Sequence, residues 1–240
     1  MSLDSTGKNR GGIHCWLYRH LESDPCRALQ SSLSRRLLRA VLHQRGQLWD
    51  EQALELPGVA LRSALRAAIG IDISISHSRN WVGVCLAPVS VGLDLEAPGR
   101  ERDWLAIADT FFTASEARQL ARVEGVHRKA LFLRYWTLKE SCIKAAGGGV
   151  FDGLNQLRVV AGDRIELAPG ADSVTVNSVW SARYRDLVLG VCSTAAWAAP
   201  GGPQFWHCSD LQEFVVEPCG GELALSDLLP DAGGEGAGGT

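Results

Sequence analysis

Two acidic residues stand at strand spacing in the segment VGLDLE, where Asp94 and Glu96 follow Gly92. Side chains two apart on a strand project from the same face, with Cα atoms about 6.5–7 Å apart, so these carboxylates would repel each other without a cation. Oxygen ligands of this kind suit Mg²⁺. The segment alone leaves two interpretations open, a metal site and an exposed strand face with two solvated acids.

A second charged group lies in RYWTLKESCIKAAGGG, where Glu140 and Lys144 are four residues apart and share a helix face. The chain has four lysines against twenty arginines, and three of the lysines stand at positions 129, 139 and 144. A surface ion pair stabilises a helix by only about 0.3–0.5 kcal/mol, so arginine would serve stability equally well. A compact ammonium is preferred where one phosphate oxygen or one carboxylate must be contacted. The clustering therefore indicates a specific chemical task.

Two further groups could bind a ligand. The strand IDISIS alternates apolar and polar residues, predicting a half-buried strand that ends at Ser76. It delivers His77 and Ser78 to its carboxyl end, where α/β proteins bind ligands. Residues 27–49 contain five arginines and no acid, among them Arg27 and Arg35. Guanidinium groups match phosphate oxygens, although a structural histidine and a solvated helix face remain alternatives.

The elements that must position these residues follow from periodicity. Thr113 and Glu116 form a predicted capping box for a helix that ends near Gly125. The next helix is predicted over 126–146, with a buried seam that leaves Glu140 and Lys144 outside the core. Strands are predicted at 12–20, 71–76, 81–87 and 89–96, and a helix at 32–46.

Composition narrows the class of protein. A net charge of −3 disfavours nucleic acid as the main partner. The seven cysteines are scattered and contain no C-x-x-C, which is typical of free thiols in a reducing compartment. No signal peptide or membrane-spanning run is apparent, so we expect a cytoplasmic protein with no membrane partner.

The segments SISHS, VGLDLE and WTLKESCIKAAGGG, in this order, resemble the signature motifs of 4′-phosphopantetheinyl transferases. The closest subgroup is the large monomeric type that acts on peptide, polyketide and fatty-acid synthases, and the resemblance covers about residues 13–199. It implies an α/β (α+β) fold with two similar half-domains related by a pseudo-two-fold axis and a ligand cleft between them. The implied organisation is a flexible N-terminus (1–12), an N-terminal half (13–88), a C-terminal half (89–199) and a tail (200–240) whose end is disordered.

The resemblance also implies an activity, the transfer of 4′-phosphopantetheine from coenzyme A to a serine of an apo acyl or peptidyl carrier protein, with release of 3′,5′-ADP. A catalytically silent coenzyme A-binding paralogue and a Mg²⁺-dependent phosphohydrolase are the alternatives. One departure is that the family's Gly-Lys-Pro segment is missing before the Ser-His-Ser strand, where this chain reads LPGVALRSALRAAIG.

The residue roles carried by the resemblance are of three kinds. The metal, Mg²⁺ or Mn²⁺ in its place, would be held by Asp94, Glu96 and Glu140. The catalytic residues would be Lys144 and Glu140. Lys144 would act on the transferred phosphoryl group. The base would be either Glu140 or a metal-bound water. Coenzyme A would be bound by Arg27, Arg35, Ser76, His77, Lys139 and Lys144, with Lys139 on the helix surface facing the carrier protein.

Overall fold

The computed structural model describes residues 12–47, 50–99, 101–148, 153–160, 164–167, 176–195 and 202–219. The predicted flexible N-terminus, apart from its last residue, and the end of the predicted tail lie outside these ranges. The described residues form five α-helices: α1 (Arg27–Gln44), α2 (Gly58–Ile69), α3 (Trp104–Phe111), α4 (Ala114–Ala121) and α5 (Gly125–Ala145).

The strands in the same part of the chain confirm a mixed α/β fold. Short 3₁₀ helices lie at Glu51–Glu55 and Leu154–Gln156. The strands are β1 (His14–Arg19), β2 (Asp72–Ser78), β3 (Trp81–Ala87), β4 (Val91–Glu96), β5 (Leu157–Val160), β6 (Arg164–Leu167), β7 (Ser178–Tyr184), β8 (Leu187–Ser193), β9 (Gln204–Asp210) and β10 (Val215–Pro218).

The first sheet has the order β10-β9-β1-β3-β2, and it takes strands from both ends of the described chain. Strand β1 pairs antiparallel with β3 and parallel with β9. Residues 204–218, which were predicted to belong to a tail, therefore complete the first sheet. Phe205 and Cys208 of β9 are buried on opposite faces of that sheet, which explains why this segment is held there.

The second sheet has the antiparallel order β4-β8-β7, and β5 pairs separately with β6. One face of each sheet contributes to a shared apolar core, in which Leu17 of the first sheet and Leu93 of the second are fully buried. Helices α1 and α2 cover the outer face of the first sheet, and α5 covers the outer face of the second. The molecule is thus layered as helices, sheet, sheet and helix. No helix in the described ranges is long and apolar enough to cross a membrane.

The two sheets meet where β2 runs alongside β4, and the contact is made by side chains. Four polar residues of β2 are spaced two apart, so they all point at β4 and accept hydrogen bonds from the backbone N–H groups of β4 and of Ala97, which follows it. The prediction of a half-buried strand is wrong in this respect, because the polar face is buried as well as the apolar one. The bonds run from Val91 to Asp72 (2.9 Å), from Leu93 to Ser74 (2.8 Å), from Leu95 to Ser76 (3.2 Å) and from Ala97 to Ser78 (3.1 Å).

Helix α5 packs with its backbone close to the second sheet, because glycines of β4 and β8 face it. A Cβ atom at Gly92 would collide with the carbonyl of Ser141, and one at Gly190 would collide with the carbonyl of Thr137. The helix is buried almost all round, with α3, α4 and β5 covering its other sides. The predicted buried seam of this helix is therefore too narrow. Glu140 was predicted to lie outside the core, but its exposed fraction is 2%.

Candidate functional site

Lys144 and Asp94 form the centre of the candidate site. The Lys144 Nζ lies 2.6 Å from Asp94 Oδ1, 3.2 Å from the carbonyl oxygen of Leu93 and 3.2 Å from Ser76 Oγ. The Ser76 hydroxyl donates its own proton to Asp94 Oδ1 at 3.0 Å. The close approach of α5 to β4 allows this contact, since the lysine reaches across the glycine-lined interface.

Two carboxylate oxygens beside this pair have no hydrogen-bond donor among the described residues. They are Asp94 Oδ2 and Glu140 Oε1, and both are buried. Burial, followed by the neighbouring Asp94, raises the pKa of Glu140 to about 7. The same two causes raise the pKa of Glu96 to about 7, although Ser78 donates a hydrogen bond to it at 2.9 Å. The three acids therefore form an electrostatic unit whose negative charge Lys144 offsets only in part.

The donor chemistry of this unit fits a hard divalent cation. Buried carboxylate oxygens without donors are ligands of the type that Mg²⁺ prefers. Across the described ranges, however, no group of three or more His, Cys, Asp or Glu residues is already arranged around one point where a metal ion would bind. Lys144 occupies one oxygen of Asp94 instead, so binding of a metal by Asp94, Glu96 and Glu140 requires a local shift of these side chains.

A cavity of about 460 Å³ opens beside Glu96. Phe132 and Trp136 of α5 form part of its wall, and Ser78 and Arg102 also line it. The two aromatic rings stack with centroids 5.7 Å apart. The acidic end of the site is therefore open to a ligand along one apolar wall.

His77 follows Ser76 and lies in the same electrostatic neighbourhood. Burial, followed by the positive charges of Lys144 and then Arg27, lowers the pKa of His77. The imidazole is therefore held neutral, with one N–H that can donate to an anion. Arg27 begins α1 and is exposed. The structure thus brings Ser76, His77 and Arg27 to the side of the site that carries Lys144.

Arg35 is not part of this group. It lies eight residues beyond Arg27, about 12 Å along α1, and its Nη2 donates to the carbonyl of Leu56 at 2.9 Å. Its Nη1 is buried with no partner among the described residues. A role for Arg35 at the 3′-phosphate therefore stays a prediction.

The placement of Lys139 on the helix surface is wrong. Its side chain is fully buried, and its Nζ bonds to Glu116 Oε2 at 2.5 Å and to the carbonyl of Leu154 at 3.1 Å. The ammonium also lies 4.6 Å from the centre of the Phe112 ring. Glu116 in turn accepts the backbone N–H of Val159 at 2.8 Å. Lys139 can face neither coenzyme nor carrier, because α4 and the 3₁₀ helix cover it.

Sequence reasoning missed Arg62, which lies on α2 and contacts the end of α5. It bonds Asp72 with two nitrogens and also donates to the carbonyl of Lys144. The only signal in the sequence was a lone acid, Asp72, in a strand otherwise made of Ile and Ser. The segment LPGVALRSALRAAIG, where the Gly-Lys-Pro motif is missing, forms helix α2 from Gly58 onward.

Part of the chain that contains the candidate site matches a known protein family. A family model described as the 4′-phosphopantetheinyl transferase superfamily matches residues 90–192, which include Asp94, Glu96, Glu140 and Lys144. Over this stretch, which is less than half of the chain, the sequence is similar to that superfamily. The matched stretch begins just before β4 and ends within β8, so it contains α5 and most of the second sheet.

Curated relatives within this superfamily cover only part of the chain. The 4′-phosphopantetheinyl transferase HetI of Nostoc sp. is 31% identical over 147 residues, which are 59% of this chain and 58% of HetI. The 4′-phosphopantetheinyl transferase psf-1 of Bacillus pumilus is 32% identical over 129 residues, 53% of this chain and 54% of psf-1. A 4′-phosphopantetheinyl transferase of Bacillus subtilis is 32% identical over 82 residues, 33% and 35%. The chain thus spans between about a third and three-fifths of the relatives' lengths.

Proposed function

We propose that this protein transfers 4′-phosphopantetheine from coenzyme A to a serine of an apo acyl or peptidyl carrier protein, releasing 3′,5′-ADP. The observation that carries the proposal is the bonded pair of Lys144 and Asp94 beside two carboxylates, Glu96 and Glu140, that form no ion pair with the described residues. Phosphoryl transfer needs positive charge on the pyrophosphate and an alcohol held in line, and this group of residues can supply both. Relatives that carry the transferase name support the same reaction.

In this proposal Asp94, Glu96 and Glu140 hold a Mg²⁺ ion, for which Mn²⁺ can substitute. The bound ion supplies neutralisation of the pyrophosphate charge. The unpartnered Asp94 Oδ2 and Glu140 Oε1 support this assignment, because each is a buried acceptor with no donor among the described residues. Burial, followed by repulsion from Asp94, raises the pKa values of Glu96 and Glu140 to about 7, and a bound cation would offset both effects.

Lys144 is the cation of the chain that acts on the phosphoryl group being transferred. Its ammonium is pre-oriented by Asp94, the Leu93 carbonyl and Ser76. His77 donates its N–H to a phosphate oxygen, and Arg27 and Arg35 bind the remaining phosphates, Arg35 through the 3′-phosphate. Glu140 accepts the proton of the attacking serine, with a water molecule as the alternative acceptor.

The cavity beside Glu96 supports an assignment of where the acceptor enters. The carrier serine would approach along the wall formed by Phe132 and Trp136, since this is where the acidic group is open to a ligand. The partner in this proposal is a carrier protein of fatty-acid, polyketide or nonribosomal peptide synthesis. The protein would act as a monomer in the cytoplasm.

Mass spectrometry of a carrier protein tests the proposal. The protein is incubated with coenzyme A, Mg²⁺ and a panel of apo carrier proteins, and the carrier is expected to gain the mass of one phosphopantetheine group. Asp94→Asn should abolish the gain, while Asp109→Asn, which removes an exposed acid from α3 of the same half, should leave it unchanged. Excess EDTA should also abolish it.

The two alternatives give different outcomes in the same experiment. Coenzyme A that is bound but unchanged, with no modified carrier, would favour a silent binding paralogue. Breakdown of coenzyme A without transfer would favour a phosphohydrolase. Full transfer in excess EDTA would remove the metal from the proposal.

A further inference from the structure

Helix α2 carries a cation that reaches the catalytic helix from the other half of the molecule. Arg62 donates from Nε to Asp72 Oδ1 at 2.7 Å and from Nη2 to Asp72 Oδ2 at 2.5 Å. Asp72 is 1% exposed, and the Arg62 side chain is 19% exposed. Two parallel bonds to a buried carboxylate fix the plane and position of the guanidinium.

The other contacts of Arg62 are with backbone carbonyls at the end of α5 and at the start of β4. Its Nη1 donates to the carbonyl of Lys144, and its Nη2 lies 3.2 Å from the carbonyl of Ala145 and 3.2 Å from that of Val91. The last carbonyls of a helix lack the usual intrahelical donors and carry partial negative charge, which a cation stabilises. Arg62 therefore caps α5 at the residue whose side chain reaches Asp94.

Lys144 is consequently held at both ends. Arg62 fixes its carbonyl, while Asp94 and Ser76 fix its ammonium. Asp72 also accepts the backbone N–H of Val91 at 2.9 Å, so the pair of Arg62 and Asp72 ties α2, β2, the start of β4 and the end of α5 together.

We infer that Arg62 is a positioning residue that sets Lys144 against Asp94 by holding the end of α5 in register with β4. The inference rests on the proposed transferase function for its kinetic consequence. It also explains how this chain is built where the Gly-Lys-Pro segment is missing, since α2 occupies that place and supplies the contact.

Arg66 provides a matched control on the same helix. It lies one turn further on, 3.3 Å from the same Asp72 oxygen, and it donates to Ser90 Oγ at 2.5 Å. Its side chain is half exposed, and these contacts do not include α5. Loss of Arg66 removes a positive charge beside Asp72 without releasing the helix that carries Lys144.

Steady-state kinetics of transfer by the full chain give the first test. Arg62→Ala should lower kcat about 10- to 100-fold, because a displacement of about 1 Å at a reacting group can cost 100-fold. The KM for coenzyme A should change by less than about threefold, since the phosphate-binding residues are untouched. Arg62→Lys should recover little, because one ammonium cannot serve a carboxylate and three carbonyls together. Arg66→Ala should stay within about twofold of wild type.

A second test, by NMR, does not depend on activity. The chain has four lysines, so lysine labelled with ¹³C at Cε gives a sparse NMR spectrum in which Lys144→Arg identifies the Lys144 signal. Arg62→Ala should move that signal and Arg66→Ala should leave it in place. If Arg62→Ala does not fold, as judged by circular dichroism, the kinetics and the NMR spectrum are both measured on Arg62→Lys.

The outcomes separate the two proposals. An unmoved Lys144 signal in a folded Arg62 variant overturns the positioning role, as does a moved signal with kcat unchanged. A moved signal in a protein whose wild type transfers nothing to any carrier overturns the proposed function and leaves the structural tie intact.

Discussion

The ammonium of Lys144 contacts three oxygen atoms, those of Asp94, Leu93 and Ser76, within a buried interface. A planar guanidinium is wider and prefers paired contacts, so it cannot reproduce this arrangement. We expect Lys144→Arg to lower kcat about 10- to 100-fold and Lys144→Ala about 10²- to 10³-fold, with coenzyme A affinity changed much less. Transfer kinetics and calorimetric binding of coenzyme A measure these effects. Wild-type kcat in Lys144→Arg would show that only the charge is needed.

The raised pKa values of Glu96 and Glu140 predict how the stability of the metal-free protein depends on pH. Burial and Asp94 raise both pKa values from 4.5 to about 7 in the folded state. The folded protein therefore holds protons that the unfolded chain has lost, and stability falls as pH rises from about 4.5 to 7. In EDTA, the midpoint of thermal unfolding should fall across this window.

The matched comparison is Glu140→Gln, which stays uncharged throughout. This variant should show a flatter dependence of the unfolding midpoint on pH, and added Mg²⁺ should reverse the trend in wild type because the ion competes with protons. An identical pH dependence in wild type and Glu140→Gln would mean that the pKa of Glu140 is the same in the folded and the unfolded protein.

For individual residues, the sequence predicts contacts well when the two residues share a strand or helix, and poorly when they lie far apart in the chain. Asp94 and Glu96 share a strand, and Glu140 and Lys144 share a helix face, so their spacing alone relates them. The burial of Lys139 depends on Glu116, which lies on another helix and was interpreted only as part of a capping box. That capping box is confirmed, but Glu116 bonds Lys139 as well.

The pair of Lys139 and Glu116 joins α5 to the start of α4, and both side chains are at most 1% exposed. Removing one member of a buried pair leaves an uncompensated charge or an unmet hydrogen-bonding group, which costs about 3–5 kcal/mol. We expect Lys139→Met to lower the free energy of unfolding by this amount, measured by urea denaturation. Glu101→Gln, which breaks the exposed pair with Lys129, should change it by less than about 1 kcal/mol. Equal effects would contradict the structural role of Lys139.

Helices and strands near the site were predicted with small errors at their ends, because their apolar periodicity is strong. The predicted helix over 126–146 is observed as Gly125–Ala145. Periodicity did not reveal how closely the backbone of α5 approaches the second sheet. That approach depends on Gly92 and Gly190, which belong to two strands almost a hundred residues apart and face one helix.

Across the whole molecule, β9 covers the edge of β1 and carries β10 beyond it. A chain that ends at residue 201 would expose the edge of β1 and the core around Leu17, and exposed strand edges promote aggregation. We expect this truncation to lose cooperative thermal unfolding or to aggregate, as measured by melting and size-exclusion chromatography. A chain that ends at Cys219 keeps every described strand and is the control. A soluble truncation with a wild-type melting temperature would show that β9 is dispensable.

The parallel pairing of β1 with β9 could not be predicted from sequence. The segment QFWHCSD is short, and its periodicity does not identify its partner. A family resemblance that covers residues 13–199 gives no guide to a strand beyond that range. Long-range pairing of this kind depends on the assembled core and not on any local pattern.

The same pairing bears on the order in which the protein is made. Gln204 of β9 is synthesised 190 residues after its neighbour His14 of β1. During translation β4, α5, β7 and β8 all emerge before β9, so the half that contains Asp94 and Lys144 can assemble while the first sheet still has an open edge. That edge closes only after β9 has been synthesised, and nascent chains with unpaired strands are prone to aggregate without chaperones. Strand β1 therefore reaches its final environment only after four later elements, β4, α5, β7 and β8, have been made.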